Sequence, residues 1–392
     1  MEPDFGWINL HISDNPSKLR LKYGAERAFD ILQIEMRRRH ASKFAETFAG
    51  NPEFVFPNSL SAEQATSDRL ADFHFSLIDP GANVADLTAG LGIDAMALAK
   101  VAGSVVAVEH DPEVAAALRY NSRRLTNFTV IEDDCRHLLQ SWVKEARRFD
   151  AIFIDPARRD TNGGRVFALK DCEPDVVAML PVMAEVTDRI IVKASPMLDI
   201  THTVNALSPF VEEVVVLGTT TECKELDLLC NLKKRKNSQP EIRAVTVGSD
   251  FQSEFDFTRS EETQATPIFG VPKVEDFILN PYPAVMKAAP VRLLGQSFGV
   301  KKIGSNTHLW FSEKPAENFP GTAFRVLEVL PYMSKHIKRY AERWPRTGVT
   351  ARNFDISSEN LRAKLKVTDG PLRLFAVNAF DGRKLLITCE KI

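Results

Sequence analysis

Four carboxylates stand at or just beyond the ends of successive short apolar runs: Asp86 after Val84-Ala85, Glu109 after Ser104–Val108, Asp134 after Phe128–Ile131, and Asp155 after Asp150–Ile154. A carboxylate accepts hydrogen bonds and attracts cations, so a row of them describes a pocket for hydroxyls, amines and positive charge. Between the first two lies Leu87-Thr88-Ala89-Gly90-Leu91-Gly92-Ile93-Asp94, a glycine turn opening an alanine-rich helix expected over Asp94–Lys100. Gly90 and Gly92 let a backbone approach a ligand with no Cβ in the way. In an open α/β sheet such a turn lies in the crevice beyond the carboxyl ends of the strands, where ligands bind.

Two nucleotides compete for the turn. Gly90-Leu91-Gly92-Ile93-Asp94-Ala95 satisfies the dinucleotide pattern, and Glu109 follows Gly90 by 19 positions, where an acidic group meets a ribose. Asp86 separates the two. A pyrophosphate on a helix N-terminus is repelled by a carboxylate at the end of the first strand. S-adenosylmethionine (SAM) carries no phosphate, only a sulfonium and an ammonium that Asp86 favours. The balance goes to SAM, with Glu109 accepting from the ribose hydroxyls and Asp134 from the adenine amine.

The chain resembles class I SAM-dependent methyltransferases, with DLTAGLGID as the SAM turn and Asp155-Pro156-Ala157-Arg158-Arg159 at the catalytic strand end. DLTAGLGID is similar to the turn of small-subunit ribosomal RNA guanine-N2 methyltransferases. Gln64–Ala71 resembles the segment before that turn in cap-guanine N2 methyltransferases. Thr66 or Ser67 is expected to cap the next helix, whose N-terminus receives the methionine carboxylate. The resemblance spans roughly residues 60 to 250 and implies a Rossmann-like, seven-stranded α/β sheet. It makes Asp86, Thr88, Ala89, Gly90, Gly92, Glu109, Asp134, Thr66 and Ser67 the cofactor set. From Leu279 onward, NPYPAVMKAAPVRLLGQSFGVKKIGSNTHLW and the βα-rich end resemble a THUMP-like domain.

The implied reaction is methylation of a base nitrogen in structured RNA, ribosomal or transfer. An exocyclic amine is a poor nucleophile, and Asp155 with the Pro156 carbonyl is placed to accept its protons. Amino-directed enzymes follow the proline with an aromatic that stacks the flipped base; here Ala157-Arg158 stands instead. Arg158 can stack on a base or hold a phosphate. The stretch is also similar to the D-P-P-R of RNA uridine C5 methyltransferases, which need a cysteine after the next strand; Lys193-Ala194-Ser195-Pro196 has none. The alternatives are a small-molecule methyltransferase and a protein that binds SAM or RNA without catalysis.

The whole chain sets the frame for these residues. Its 392 residues allow two or three domains, and 44% hydrophobic with 26% charged content is ordinary for a globular protein. No apolar run approaches the roughly 20 residues of a membrane span. The N-terminus lacks the order of a signal peptide. Five cysteines, with no C-x-x-C pair, read as free thiols of a reducing cytoplasm, and no histidine spacing suggests a metal. A net charge of −2 is no nucleic-acid signature. Lys233-Lys234-Arg235-Lys236 is the basic cluster expected to hold RNA, on a connection emerging on the cofactor side of the sheet.

Residues 1–80 read as helices, including one over Ala25–Phe48 with an apolar stripe through Phe29, Leu32, Met36, Phe44 and Phe48. Residues 81–248 form the methyltransferase domain, with further strands at Arg189–Lys193, Glu213–Leu217 and Ile242–Val247. Residues 249–278 read as a linker, and 279–392 as the C-terminal α/β domain. Thr219–Glu225 either shapes the pocket or is solvated with Cys223 and Leu226 facing in. Leu372–Phe380 and Lys384–Cys389 are expected to pair through Asp381-Gly382.

Overall fold

A computed structural model describes residues 3–158, 168–234 and 239–392. The chain divides into two compact units, residues 1–213 with 225–238, and 214–224 with 239–392.

The first unit is built on the acid-tipped strands. Asn83–Asp86 (β1), Ser104–Glu109 (β2), Phe128–Glu132 (β3), Ala151–Ile154 (β4) and Arg189–Ala194 (β5) are parallel, in the order β3-β2-β1-β4-β5. They are runs of Val, Ile and Ala because helices cover both faces; Val84, Ala107, Ile152, Ile154 and Ile191 are fully buried. Order reverses between β1 and β4, so their carboxyl ends frame the crevice.

Val211–Gly218 (β6) begins in the first unit and continues in the second. A tight turn, Thr219 N–H to the Glu222 carbonyl at 2.8 Å, follows it and reverses the chain. Cys223–Asn231 (β7) then runs antiparallel to β5, with Asp227 opposite Lys193 and Asn231 opposite Arg189. The sequence reading has no strand here; the strand it gave to Ile242–Val247 does form, as Glu241–Val247. Glu225 and Asp227 are charged, yet both are buried within this strand.

The direction of β7 also corrects the place of the basic run. Because β7 ends opposite the start of β5, Lys233 and Lys234 lie at the amino end of the parallel strands, the far side from Asp155. Lys233 Nζ pairs there with Asp188 at 2.7 Å. Arg235 and Lys236 lie outside the described residues.

The N-terminal helices serve the turn. Met36, Phe44, Phe54, Phe56, Ala62 and Ala71 pack with Leu91, Ile93 and Ala97 in one core. The stripe does not ride on one helix: Ala28–Arg39 ends at His40, and Ala45–Gly50 restarts. Asp68 fixes the restart by accepting from the Glu46 and Thr47 amides at 2.8 and 3.0 Å, two of the orphan donors of a helix start.

In the second unit, residues 249–278 hold structure where a linker was expected. Gln252–Phe257 (β9) pairs antiparallel with Glu241–Val247 (β8), and Thr258 and Glu261 form a capping box that starts the helix Arg259–Gln264. A seven-stranded sheet follows, ordered Lys301–Lys302, Trp310–Ser312, Phe277–Pro281, Gly321–Pro331, Lys384–Lys391, Thr368–Asn378, Arg346–Arg352. The Asp381-Gly382 hairpin forms, with Gly382 at φ +83°. Helices Ser334–Arg343 and Ser358–Leu365 contribute Ile337, Tyr340, Leu361 and Leu365 to a core shared with Leu374 and Leu386.

Candidate functional site

The site grows from the turn after β1. Gly90 and Gly92 both take positive φ, +53° and +78°. A Cβ on Gly90 would enter open space, whereas one on Gly92 would sit 2.1 Å from Leu118 Cδ1. Gly92 therefore closes the turn onto its neighbouring helix, and Gly90 leaves the crevice side clear. The helix that follows is Ile93–Leu98.

Glu109 at the end of β2 is buried and accepts from the Gly90 amide at 2.9 Å and the Asp111 amide at 2.8 Å. Each oxygen keeps a further lone pair for a hydroxyl. Asp86 is 2% exposed and accepts from the Thr88 amide at 3.0 Å. Burial, then the nearby Asp94 and Asp155, push its carboxyl up to about 8. A buried acid strained in this way suits a cationic ligand, as SAM is. Ala89 is held by its amide to the Val108 carbonyl at 2.9 Å.

Asp134 starts the helix Cys135–Lys144 and accepts from the Arg136 amide at 2.8 Å. Its carboxylate is also clasped by the Arg136 guanidinium, whose hydrogen bonds lower it to about 2. Neither Thr66 nor Ser67 caps the helix Asp68–His74 with its side chain, contrary to expectation. The Thr66 hydroxyl is spent elsewhere: it donates to Asp94 Oδ2 at 2.5 Å and accepts from Lys193 Nζ at 2.6 Å.

Lys193, on β5, ties the strand end at Asp155 to its neighbours. Its ammonium stands 2.9 Å from Asp155 Oδ2, 3.2 Å from Asp94 Oδ2 and 3.6 Å from Glu225 Oε2. Burial works against the charge, but Asp155, Asp94 and Glu225 outweigh it and raise Lys193 well above its ordinary value. The Asp155 amide donates to Thr88 Oγ1 at 2.7 Å, so the tips of β1 and β4 are stitched side by side. Desolvation lifts the Asp155 carboxyl above its usual value despite Lys193. That carboxyl is still 41% exposed, so water tempers the rise and a substrate can reach it. Pro156 is buried; Ala157–Arg158 pairs with Cys172–Glu173, and the Arg158 side chain lies outside the described part.

Behind Lys193 lies His74, wholly buried. Its Nδ1 is 2.7 Å from Asp94 Oδ1, its Nε2 2.9 Å from Glu225 Oε1 and 3.7 Å from Asp227 Oδ2. Burial opposes a charge on the ring, but Glu225, Asp94 and Asp227 raise His74 well above its ordinary value. Asp94 is correspondingly held far below the usual carboxylate range, against its burial, by Lys193 and His74. Glu225 is thus part of the site, while Glu222 and Lys224 pair at the surface. Sequence reasoning missed Lys193, His74, Asp94, Glu225 and Asp227 as a group. One signal was available: a lysine and two acids inside otherwise apolar strands are costly unless paired.

Three family models match the chain: "Conserved hypothetical protein 95" over residues 53–165, a ferredoxin-like domain over 277–320, and a "THUMP domain-like" domain over 321–391. An uncharacterised S-adenosylmethionine-dependent methyltransferase of Mycobacterium tuberculosis is 24% identical over 359 residues, 89% of this chain and 92% of that protein. A 23S rRNA uracil C5-methyltransferase of Pectobacterium carotovorum is 35% identical over 124 residues, 30% of this chain and 26% of its own length. The small-subunit ribosomal RNA methyltransferase J of Shewanella baltica is 34% identical over 128 residues, 28% and 52%. Among solved structures, a proposed methyltransferase from Porphyromonas gingivalis W83 superposes with a TM-score of 0.87 at 29% identity, covering 99% of this chain and 97% of that one.

Proposed function

We propose that this class I SAM-dependent methyltransferase with a THUMP-like C-terminal domain methylates a base nitrogen of structured RNA, ribosomal or transfer. The observation that carries the reading is Asp155, exposed at the tip of β4 and anchored to Lys193 and to Thr88 of the SAM turn. Bound SAM supplies a methyl group activated by its sulfonium. Asp86, Gly90, Glu109 and Asp134 are the groups that hold it, with Thr88 and Ala89 shaping the turn.

The chain's own work is alignment. An in-line displacement needs the acceptor nitrogen and the methyl carbon held within contact distance. Asp155 accepts one amine hydrogen and the Pro156 carbonyl the other, which turns the nitrogen lone pair toward the methyl. The N–C bond would form as the S–C bond breaks, its electron pair staying on sulfur in the departing neutral thioether, and the amine's proton would pass to Asp155 and from there to water. Lys193 acts through Asp155 as a positioning residue.

RNA is supported by charge and by likeness. Residues 321–391, the THUMP-like match, carry 14 Lys and Arg against 7 Asp and Glu, +7 in a chain of net −2. On the helix Ser334–Arg343, Ile337 and Tyr340 are buried while Lys335, Lys338 and Arg339 are exposed. Such a face is an electrostatic footprint for a phosphate backbone. Two of the relatives act on ribosomal RNA. Uracil C5 chemistry is disfavoured here, because Ala194-Ser195-Pro196 after β5 offers no thiol. Among the described residues no helix is long and apolar enough to cross a membrane, which accords with work on RNA in the cytoplasm.

Methyl-tritiated SAM incubated with RNA from cells lacking the protein, followed by nucleoside analysis, tests this. Label in an N-methylated nucleoside is the expected result. Label in no nucleoside would overturn the RNA reading, and label on a C5 carbon would overturn the nitrogen.

A further inference from the structure

Asp227 is fully buried, and neither of its carboxylate oxygens has a hydrogen-bond partner. An ionised carboxylate without a donor is among the costliest groups to place in a protein interior. Its neighbours say what is missing. Glu225 and Asp227 sit two apart on β7 and so project from the same face of the sheet. His74, the last residue of the helix Asp68–His74, turns Nε2 toward both. A protonated His74 bridging Asp94 and Glu225 would satisfy those two acids and still leave both oxygens of Asp227 unmet.

We propose that His74, Glu225 and Asp227 form a site for one first-row divalent cation of the zinc type. His74 Nε2 lies 2.9 Å from Glu225 Oε1 and 3.7 Å from Asp227 Oδ2, and one ligand atom from each residue falls within 4.8 Å of the others. With bonds of about 2.0–2.2 Å, neighbouring ligands of a zinc-like ion stand about 3.0–3.5 Å apart. The two distances from His74 need shifts of only a few tenths of an ångström, and the Glu225 and Asp227 oxygens draw together from within 4.8 Å. The supporting shell is in place: Asp94 Oδ1 receives Nδ1–H of His74 at 2.7 Å, the carboxylate–histidine–metal arrangement that aims the Nε2 lone pair at the ion. Imidazole with two carboxylates selects a transition ion over magnesium or calcium, which prefer an all-oxygen shell.

The ion would fasten the N-terminal helix to β7. Glu225 would bridge from it to Lys193, and Lys193 holds Asp155. The site therefore lies behind the catalytic strand end and touches no substrate.

The test uses the full-length protein, stripped by dialysis against a chelator and titrated with Zn²⁺ alone by calorimetry and with Co²⁺ alone by visible absorption. One Zn²⁺ per chain is expected, as are Co²⁺ d–d bands that Zn²⁺ abolishes. Asp94→Asn should weaken Zn²⁺ by about 10–100-fold, Asp227→Asn by at least as much, and Glu222→Gln at the surface not at all. Failure of the wild-type protein to bind stoichiometrically, or unchanged affinity in Asp227→Asn, overturns the proposal. X-ray absorption of the Zn²⁺-loaded wild type provides a reading that needs no variant to fold. One imidazole among oxygen donors is expected; a sulfur shell or an all-oxygen shell overturns the site.

Discussion

At the scale of single residues, the burden falls on Asp155, half-exposed at its strand tip, and on Lys193 and Asp86, both buried. Asp155→Asn keeps the shape of the strand tip but removes the charge proposed to align the acceptor. SAM affinity should stay within about twofold while turnover falls by about 10²–10⁴-fold, read by calorimetry and by tritium transfer. Unchanged turnover would make Asp155 a structural cap. Lys193→Met leaves Asp94, Asp155 and Glu225 without their shared cation, and breaking a buried pair from one side costs about 3–5 kcal/mol. Denaturant unfolding should show a loss of that order.

Asp86 gives a pH signature. Its carboxyl is raised from 3.8 to about 8 in the free protein. A raised acid contributes stability below its unfolded value and loses it as pH climbs to the folded one, so this group alone makes the free protein less stable between about pH 4 and pH 8. A bound cation reverses the preference and favours the ionised acid. SAM binding at pH 7 should therefore release a proton, and affinity should tighten from pH 6 toward 8. Calorimetry in buffers of different ionisation enthalpy measures the proton directly; no release would mean that the ligand's positive end lies elsewhere.

At the scale of elements, the turn after β1 separates two duties that the pattern G-x-G runs together. Gly92 has no room, its would-be Cβ meeting Leu118, a fully buried side chain. Gly90 has room but shares the left-handed backbone. Gly92→Ala should lower stability by about 1–3 kcal/mol from strain and overpacking. Gly90→Ala should cost less stability and lose more SAM affinity, because its methyl points into the crevice. Thermal unfolding with and without SAM distinguishes the two variants. Equal effects of both substitutions on binding would show that the turn acts as one rigid unit.

At the scale of the whole molecule, the proposed grip on RNA follows the distribution of charge. The net charge of −2 conceals a basic THUMP-like segment in an acidic chain. Replacing Lys335, Lys338 and Arg339 with Gln should weaken RNA binding and reduce its log–log salt slope by about 0.7 per lost contact on single strands. SAM affinity should not move. Replacing Lys233 and Lys234 should leave RNA binding unchanged, since they stand at the amino end of the parallel strands. The opposite pattern would return the RNA track to the Lys233 run.

The sequence by itself determined the cofactor class and the frame that holds it. Asp86, Gly90, Gly92, Glu109 and Asp155 recur at strand ends, and that order is local: a strand, a carboxylate and a turn lie within a dozen residues of one another. The tertiary structure alone decided what stands behind Asp155. From the sequence, Glu225 fits a pocket wall and a solvated charge equally well, and nothing singles out Asp227. Pairing β7 antiparallel to β5 instead brings them against Lys193, and a helix more than a hundred residues earlier brings His74. The same reversal carries Lys233 away from the site. Burial and strand direction are properties of the folded sheet, and a one-dimensional pattern of charges does not contain them.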